Sequence, residues 1–328
     1  MKKLLEVNNM HVSIHTDSGV IQAVRGVCFD LYESETLAIV GESGSGKSIT
    51  NKAIMGLLPV GGRIDEGEVI LNGRDIAHFS EKQMKEIRGT EVSMIFQDPL
   101  TSLNPTMKVG DQITEMLMLH KPGMSSRQRR ERAIELLDMV GIPNPEERFN
   151  QYPHQFSGGM RQRVMISIAL ACEPKILIAD EPTTALDVTI QAQILELMKT
   201  LQKKVNTSII MITHNLGVVS SMADRVQVMY GGRFVESGEL DEIFYETKHP
   251  YTKGLMDSIP NMQLSDQKLY SIPGTPPDLI SPPKGCPFAA RCNRCLKVCE
   301  SYAPPEFQFS DSHRASCWLY DDRVKGGL

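Results

Sequence analysis

Two adjacent carboxylates, Asp180 and Glu181, close the apolar run ILIA, and far upstream the chain carries the glycine-rich octapeptide GESGSGKS at Gly41 to Ser48. The octapeptide has the residue types of a phosphate site. Gly41, Gly44 and Gly46 let the backbone turn tightly enough for successive N–H groups to point at phosphate oxygens, with a helix N-terminus behind them. Lys47 is spaced to reach the β and γ phosphates and the Ser48 hydroxyl to hold Mg²⁺, with Ser43 and Ile49 as further nucleotide contacts. An acidic residue at the end of an apolar strand holds the Mg²⁺ shell in phosphate-loop enzymes, which is the role expected of Asp180. Its neighbour Glu181 is better placed to polarise an attacking water. Vicinal carboxylates alone are a weak signal, because turns are often acidic.

A second glycine motif, FSGGMRQR from Phe156, places Ser157, Gly158 and Gly159 ahead of a helical run. Its hydroxyl and N–H groups can be offered to a γ-phosphate. Ser157 also reads as a helix N-cap, and the two readings agree because a capped N-terminus is itself an anion site. Seven cysteines are present, and five crowd together after Gly285: Cys286, Cys292, Cys295, Cys299 and Cys317, spaced x5, x2, x3 and x17. Soft ligands gathered in a short polar segment suggest a metal or cluster that stabilises a small fold. An iron–sulfur cluster, a tetrathiolate zinc site and free thiols all fit, and the run C-x2-C-x3-C would let Cys295 displace one of four ligands. Cys28 and Cys172 lie in apolar stretches and are expected to be inert core residues.

These groups need a scaffold, and the pattern of the chain supplies one. Residues 4–73 read as strands and turns, with Leu37 to Val40 leading into the glycine loop and a helix from Lys47 onward. From Gln97 to Phe156 the pattern becomes helical; Ile134, Leu137 and Val140 share a face that stops at Gly141. Continuous apolar strands at 175–179 and 208–213 flank a helix bearing Ile190, Ile194, Leu197 and Leu201, the arrangement of a covered parallel sheet. Val226 to Tyr230, Gly231-Gly232 and Arg233 to Glu236 read as a terminal hairpin. The proline-rich SIPGTPPDLISPP from Ser271 reads as a linker or extended crossing segment, and the cysteine tail beyond it is expected to fold separately from the phosphate loop.

Composition limits the partners. Lys and Arg total 35 against 40 Asp and Glu, so a net charge of −5 offers no general attraction to nucleic acid, which is not expected to bind. No stretch approaches the ~20 apolar residues of a spanning helix and the N-terminus lacks a signal-peptide run, so a soluble, cytosolic protein is expected.

Taken in order, the glycine loop, Gln97 in IFQDP, FSGGMRQR, DEPTTALD and ITHN resemble the nucleotide-binding subunit of an ABC transporter. The flanking SGSGKSITNKAIMGLLP, FQDPLTSLNPTMKVGDQI and HPYTKGLM resemble the oligopeptide/dipeptide permease branch. The resemblance covers nearly the whole chain. It implies an α/β phosphate-loop NTPase core over residues 1–250, with an antiparallel β subdomain, an inserted helical subdomain at about 98–160, and a cysteine-rich C-terminal extension over 251–328. It implies that Glu181 is the general base, that Gln97 touches Mg²⁺ and the lytic water, and that His214 contacts the γ-phosphate. By the same resemblance, Ser157, Gly158 and Gly159 serve the ATP of an opposite subunit, and Ala185 to Asp187 form a subunit-contact loop. The family's tail implies a 4Fe-4S cluster on Cys286, Cys292, Cys299 and Cys317, with Cys295 spare.

The function so implied is ATP-driven peptide import. The partners would be a second, related ATPase subunit, two transmembrane permease subunits and, indirectly, an external peptide-binding protein, at the cytoplasmic face of the membrane. The alternative is a soluble ABC ATPase of DNA or ribosome maintenance with a metal-binding tail. Those proteins carry long coiled coils or two cassettes, and neither is present. The aromatic residue that stacks adenine in the family is replaced here by HVSIHT, leaving Ile14 or His15 for that role.

Overall fold

The computed structural model describes residues 2–184, 186–259 and 271–325. Its strands are β1 Lys3–Thr16, β2 Gly19–Tyr32, β3 Thr36–Val40, β4 Gly62–Leu71, β5 Arg74–Asp75, β6 Val92–Ile95, β7 Ile176–Asp180, β8 Ser208–Thr213, β9 Arg225–Tyr230, β10 Arg233–Glu239, β11 Glu306–Gln308 and β12 Arg314–Ser316. The chain folds as two compact units, each assembled from separated segments. One comprises Met1–Leu4, Tyr32–Glu35 and Phe79–Ile212; the other comprises Leu5–Leu31, Thr36–His78 and Thr213–Leu328.

In the first unit β6, β7 and β8 pair in parallel, Val92 opposite Ile176 and Ile176 opposite Ser208. Every residue of the three strands is buried, as a parallel sheet covered on both faces requires. Helices Val109–His120 and Ser126–Met139 fall within the stretch read as helical, about 98–160, and Gly158–Leu170 begins at its end and runs beyond it. Ser125 and Gln128 close a capping box on the second of these, and Gly141, at φ 73°, follows its end. Its buried face is Ala133, Leu136 and Leu137, continued by Val140, rather than one centred on Ile134, which is half-buried. The same rotation occurs in helix Val188–Val205: Ile194, Leu195, Met198 and Leu201 are buried, while Ile190 and Leu197 are half-exposed.

In the second unit β2, β1, β4 and β5 form the antiparallel subdomain. β3 pairs in parallel with β9, and β9 turns through Gly231 and Gly232 into β10, Tyr230 opposite Arg233. Both glycines have positive φ, 55° and 80°, as a two-residue turn matching strand twist demands.

That hairpin is not terminal. β12 pairs with β10, Ala315 opposite Glu236, and β11 pairs with β12, so the tail extends the sheet. Cys286, Phe288 and Cys299 pack into one core with Ala38, Val40, Val226, Val228, Tyr230 and Tyr251. The expected independence of the tail from the phosphate loop is therefore corrected: both lie in the same compact unit. The reason is apolar burial. A side chain such as Phe288 contributes about 1.5–3 kcal/mol when buried, and the tail finds its core on the sheet. The described part of the proline-rich segment, 271–285, forms no helix or strand and runs pinned along the surface: Gln22 N–H donates to Leu279 O at 2.8 Å, and Arg25 Nη2 to Pro283 O at 3.1 Å. Cys172 is buried as expected, whereas Cys28 is exposed because it points to the outer face of β2.

Candidate nucleotide site

β3 delivers the chain into the glycine loop, and helix Lys47–Ile54 leaves it. The loop runs against the end of β9, which dictates its glycines. A Cβ at Gly41 would lie 2.1 Å from the Met229 carbonyl oxygen; one at Gly46, which caps the helix at φ 108°, would lie 2.4 Å from that of Ala23. Gly44 is also left-handed, at φ 78°, but faces open space, so its demand is conformational alone. The Lys47 side chain curls back over the loop, its Nζ donating to the carbonyls of Gly41 at 2.7 Å and Glu42 at 2.8 Å. Ser43 is exposed, and Ser48 and Ile49 are half-buried on the first turn of the helix.

Glu42 is restrained at three points. Its N–H donates to the Tyr251 hydroxyl at 2.8 Å, its carbonyl accepts from Lys47, and its carboxylate receives Arg291 Nη1 at 2.6 Å and Nη2 at 3.1 Å. Nothing in the sequence joins residues 42 and 291. Phe288 of the tail, packed on Tyr230 and Tyr251, brings the two together.

In the same unit His214 is exposed beyond β8, and Asn215 caps the following helix by accepting from Gly217 N–H at 2.9 Å. Ile14 is half-buried and His15 exposed at the end of β1.

In the first unit Asp180 ends β7 buried, and Glu181 follows with φ 49°. A left-handed glutamate costs roughly 1–2 kcal/mol relative to right-handed backbone, and such strain concentrates where a side chain must be aimed. Glu181 Oε2 accepts from Gln97 Nε2 and from Thr184 Oγ1, each at 2.9 Å. The structure thus brings Gln97 to the carboxylate, and it adds Thr184, whose only sequence signal was a hydroxyl three residues after Glu181. Ser157 caps helix Gly158–Leu170, its Oγ accepting from Met160 N–H at 3.3 Å. Ser157 and Gly158 are exposed, whereas a Cβ on Gly159 would meet Ile190 Cγ2 at 2.7 Å. Asp187 caps the helix Val188–Val205; Ala185, expected in the same contact loop, lies outside the described residues.

The thiols divide as the spacing did not foretell. Cys286, Cys292, Cys299 and Cys317 line a single small void, and Cys295 does not. Burial pushes the Cys286 thiol up to about 12 and the Cys317 thiol up to about 11, and neighbouring sulfurs reinforce both shifts. Among the described residues no group of three or more His, Cys, Asp or Glu side chains is arranged to hold a metal ion. Nor is any described helix long and apolar enough to cross a membrane.

A phosphate loop entering a helix, a strand-end carboxylate pair and a serine-capped glycine motif describe a phosphate-loop ATPase of the ABC class. Solved structures agree: the dimeric post-hydrolysis state of the ATP-binding cassette MJ0796 bound to ADP and Pi is similar at TM-score 0.65 and 28% identity, over 72% of this chain and 99% of that one. Residues 24–184 match the ABC transporter family, and residues 235–299 match the oligopeptide/dipeptide transporter C-terminal region. The dipeptide transport ATP-binding protein DppD of Bacillus subtilis (strain 168) is 57% identical over 326 residues, 99% of this chain and 97% of that protein. The oligopeptide transport ATP-binding protein OppD of Salmonella typhimurium is 51% identical over 96% of this chain and 93% of its own length. The chain belongs to the ATP-binding subunits of the oligopeptide/dipeptide ABC transporter family.

Proposed function

We propose that this chain binds and hydrolyses ATP to power the uptake of oligopeptides or dipeptides through transmembrane permease subunits. The observation that carries the reading is the similarity to peptide-transport ATP-binding proteins along 99% of the chain, tail included. The loop residues Gly41, Ser43, Gly44, Gly46 and Ile49 cradle the nucleotide, with Lys47 on its β and γ phosphates and adenine against Ile14 or His15. Ser48, Gln97 and Asp180 hold Mg²⁺, His214 meets the γ-phosphate, and Glu181 takes the proton of the lytic water. Ser157, Gly158 and Gly159 serve the nucleotide of the partner ATPase, a second related subunit. The assembly sits on the cytoplasmic face of the membrane, with two permease subunits and, outside, a peptide-binding protein. Reading the chain as an ATPase of DNA or ribosome maintenance gains no support from these relatives.

Purification tests the assembly. A tagged chain extracted with mild detergent from membranes of its own cell should bring down two permease subunits and a second ATPase. Recovery only from the soluble fraction, without membrane partners, would count against it.

We further propose, from the tail's resemblance to its family, that Cys286, Cys292, Cys299 and Cys317 hold a 4Fe-4S cluster: these four line one void that Cys295 does not, and binding would draw them into a ligand set they do not form in this structure. Such a cluster supplies iron–thiolate bonds that cross-link the tail. Protein prepared without oxygen should be brown, absorb broadly near ~400 nm and carry about four irons per chain. Serine at any of those four positions should bleach it, and Cys295→Ser should not. Stoichiometric zinc without iron would put a structural zinc site there instead, and no metal would leave thiols.

A further inference from the structure

Arg291 lies between Cys286 and Cys292, and its guanidinium leaves the cysteine segment for the phosphate loop. All five of its N–H donors are used. Nε donates to Pro273 O at 2.8 Å; Nη1 donates to Glu42 Oε2 at 2.6 Å and to the Tyr230 hydroxyl at 3.0 Å; Nη2 donates to Glu42 Oε1 at 3.1 Å and to Ile272 O at 3.0 Å. Only 5% of the Arg291 side chain is exposed, against 26% for Glu42, so water screens the pair weakly. Burial works against the Arg291 charge, yet the hydrogen bonds it donates to Glu42 and Tyr230 outweigh it and raise its pKa. Below it Tyr230, Tyr251 and Phe288 pack ring on ring, with centroids 4.4 to 5.3 Å apart, and the Tyr251 hydroxyl holds the Glu42 N–H. The fork is met from every side.

We propose that Arg291 is a positioning residue for the phosphate loop, clamping Glu42 so that the cysteine-bearing tail sets the loop's readiness for ATP. A bidentate guanidinium fixes a carboxylate in direction as well as distance, which a lysine does not reproduce. Glu42 follows Gly41 directly and its carbonyl holds Lys47, so freedom at Glu42 is freedom in the cradle. Entropy lost in ordering the loop would then be charged to nucleotide binding, and affinity falls while the chemical step, which uses other residues, does not. The inference rests on the proposed ATP-binding role.

The test is titration of the full chain with a fluorescent ATP analogue and Mg²⁺, for the natural protein, Arg291→Ala, Arg291→Lys and Glu42→Gln. Arg291→Ala should weaken binding about tenfold, Arg291→Lys by less, and Glu42→Gln about as much as Arg291→Ala. The double variant Glu42→Gln with Arg291→Ala should be no weaker than the worse single one, because both remove one contact. In the assembled transporter KM for ATP should rise while kcat at saturating ATP stays within about twofold. Glu42→Gln keeps the backbone and the tail packing, so it decides the matter even if Arg291→Ala folds poorly. Natural-protein affinity in Glu42→Gln would overturn the proposal. Failure of the natural chain to bind the analogue would strike the ATP-binding role itself, a distinguishable result.

Discussion

Glu181→Gln should leave ATP binding unchanged and lower hydrolysis in the assembled transporter by about 10²–10⁴-fold, the usual range for removal of a general base. The amide keeps the size of the carboxylate and loses its proton acceptor. Geometry makes this a sharper test than a surface carboxylate would allow. Glu181 stands at φ 49° and takes two hydrogen bonds on a single oxygen, Oε2, from Gln97 and Thr184. An amide oxygen can keep those donors, so the side chain should hold its place while the chemistry stops. Normal turnover at saturating ATP would remove Glu181 from the mechanism. Thr184→Val, which deletes one of the two donors, should give a smaller loss of kcat, on the order of tenfold.

The second large effect concerns the partner's nucleotide. Ser157→Arg should cut hydrolysis by the paired ATPases by about 10²-fold or more, the scale of losing a preorganised donor to a developing charge. ATP binding by the isolated chain should hardly change. Ser157 and Gly158 are exposed in the single chain, and Ser157 uses its hydroxyl to cap the helix behind it. Loss of that cap costs about 1 kcal/mol, so the stability of Ser157→Ala, which loses both the cap and the donor without adding bulk, separates the capping contribution from the effect of bulk. A Ser157→Arg chain that fails to bind ATP alone would mean that the glycine motif acts on its own nucleotide.

Elements whose signal is local were legible in the sequence. The strand 208–213 has the bounds its apolar run implied, and the glycine loop lies between a buried strand and a helix. Helical faces were legible only to within a rotation. Ile134 and Leu197 share the right periodicity, yet Ala133, Leu136, Leu195 and Met198 are the buried ones, because neighbouring elements choose which part of a broad apolar stripe to cover. Cys28 sits in an apolar stretch but on the outward phase of a strand, where a shift of one residue changes the face.

Long-range pairing was the part that could not be read. Gln97 meets Glu181 across 84 residues, and Arg291 meets Glu42 across 249. The proline-rich segment reads equally as a linker or as an extended crossing segment, and its contacts with Gln22 and Arg25 make it the second. Here it delivers the tail back to β10 and to the core beside β3, which turns an appendage into the wall of the phosphate loop's own unit. Its functional consequence is that changes in the tail should be felt by ATP.

The most direct measurement of the central claim is peptide uptake into proteoliposomes that contain this chain with its second ATPase, two permease subunits and the external binding protein. Labelled di- or oligopeptide should accumulate only when ATP and Mg²⁺ are supplied on the side where this chain sits. Hydrolysis should rise when peptide-loaded binding protein is added, and Glu181→Gln should abolish both. Peptide accumulation that continues at its full rate with Glu181→Gln, or ATP hydrolysis indifferent to peptide and permease, would contradict the account.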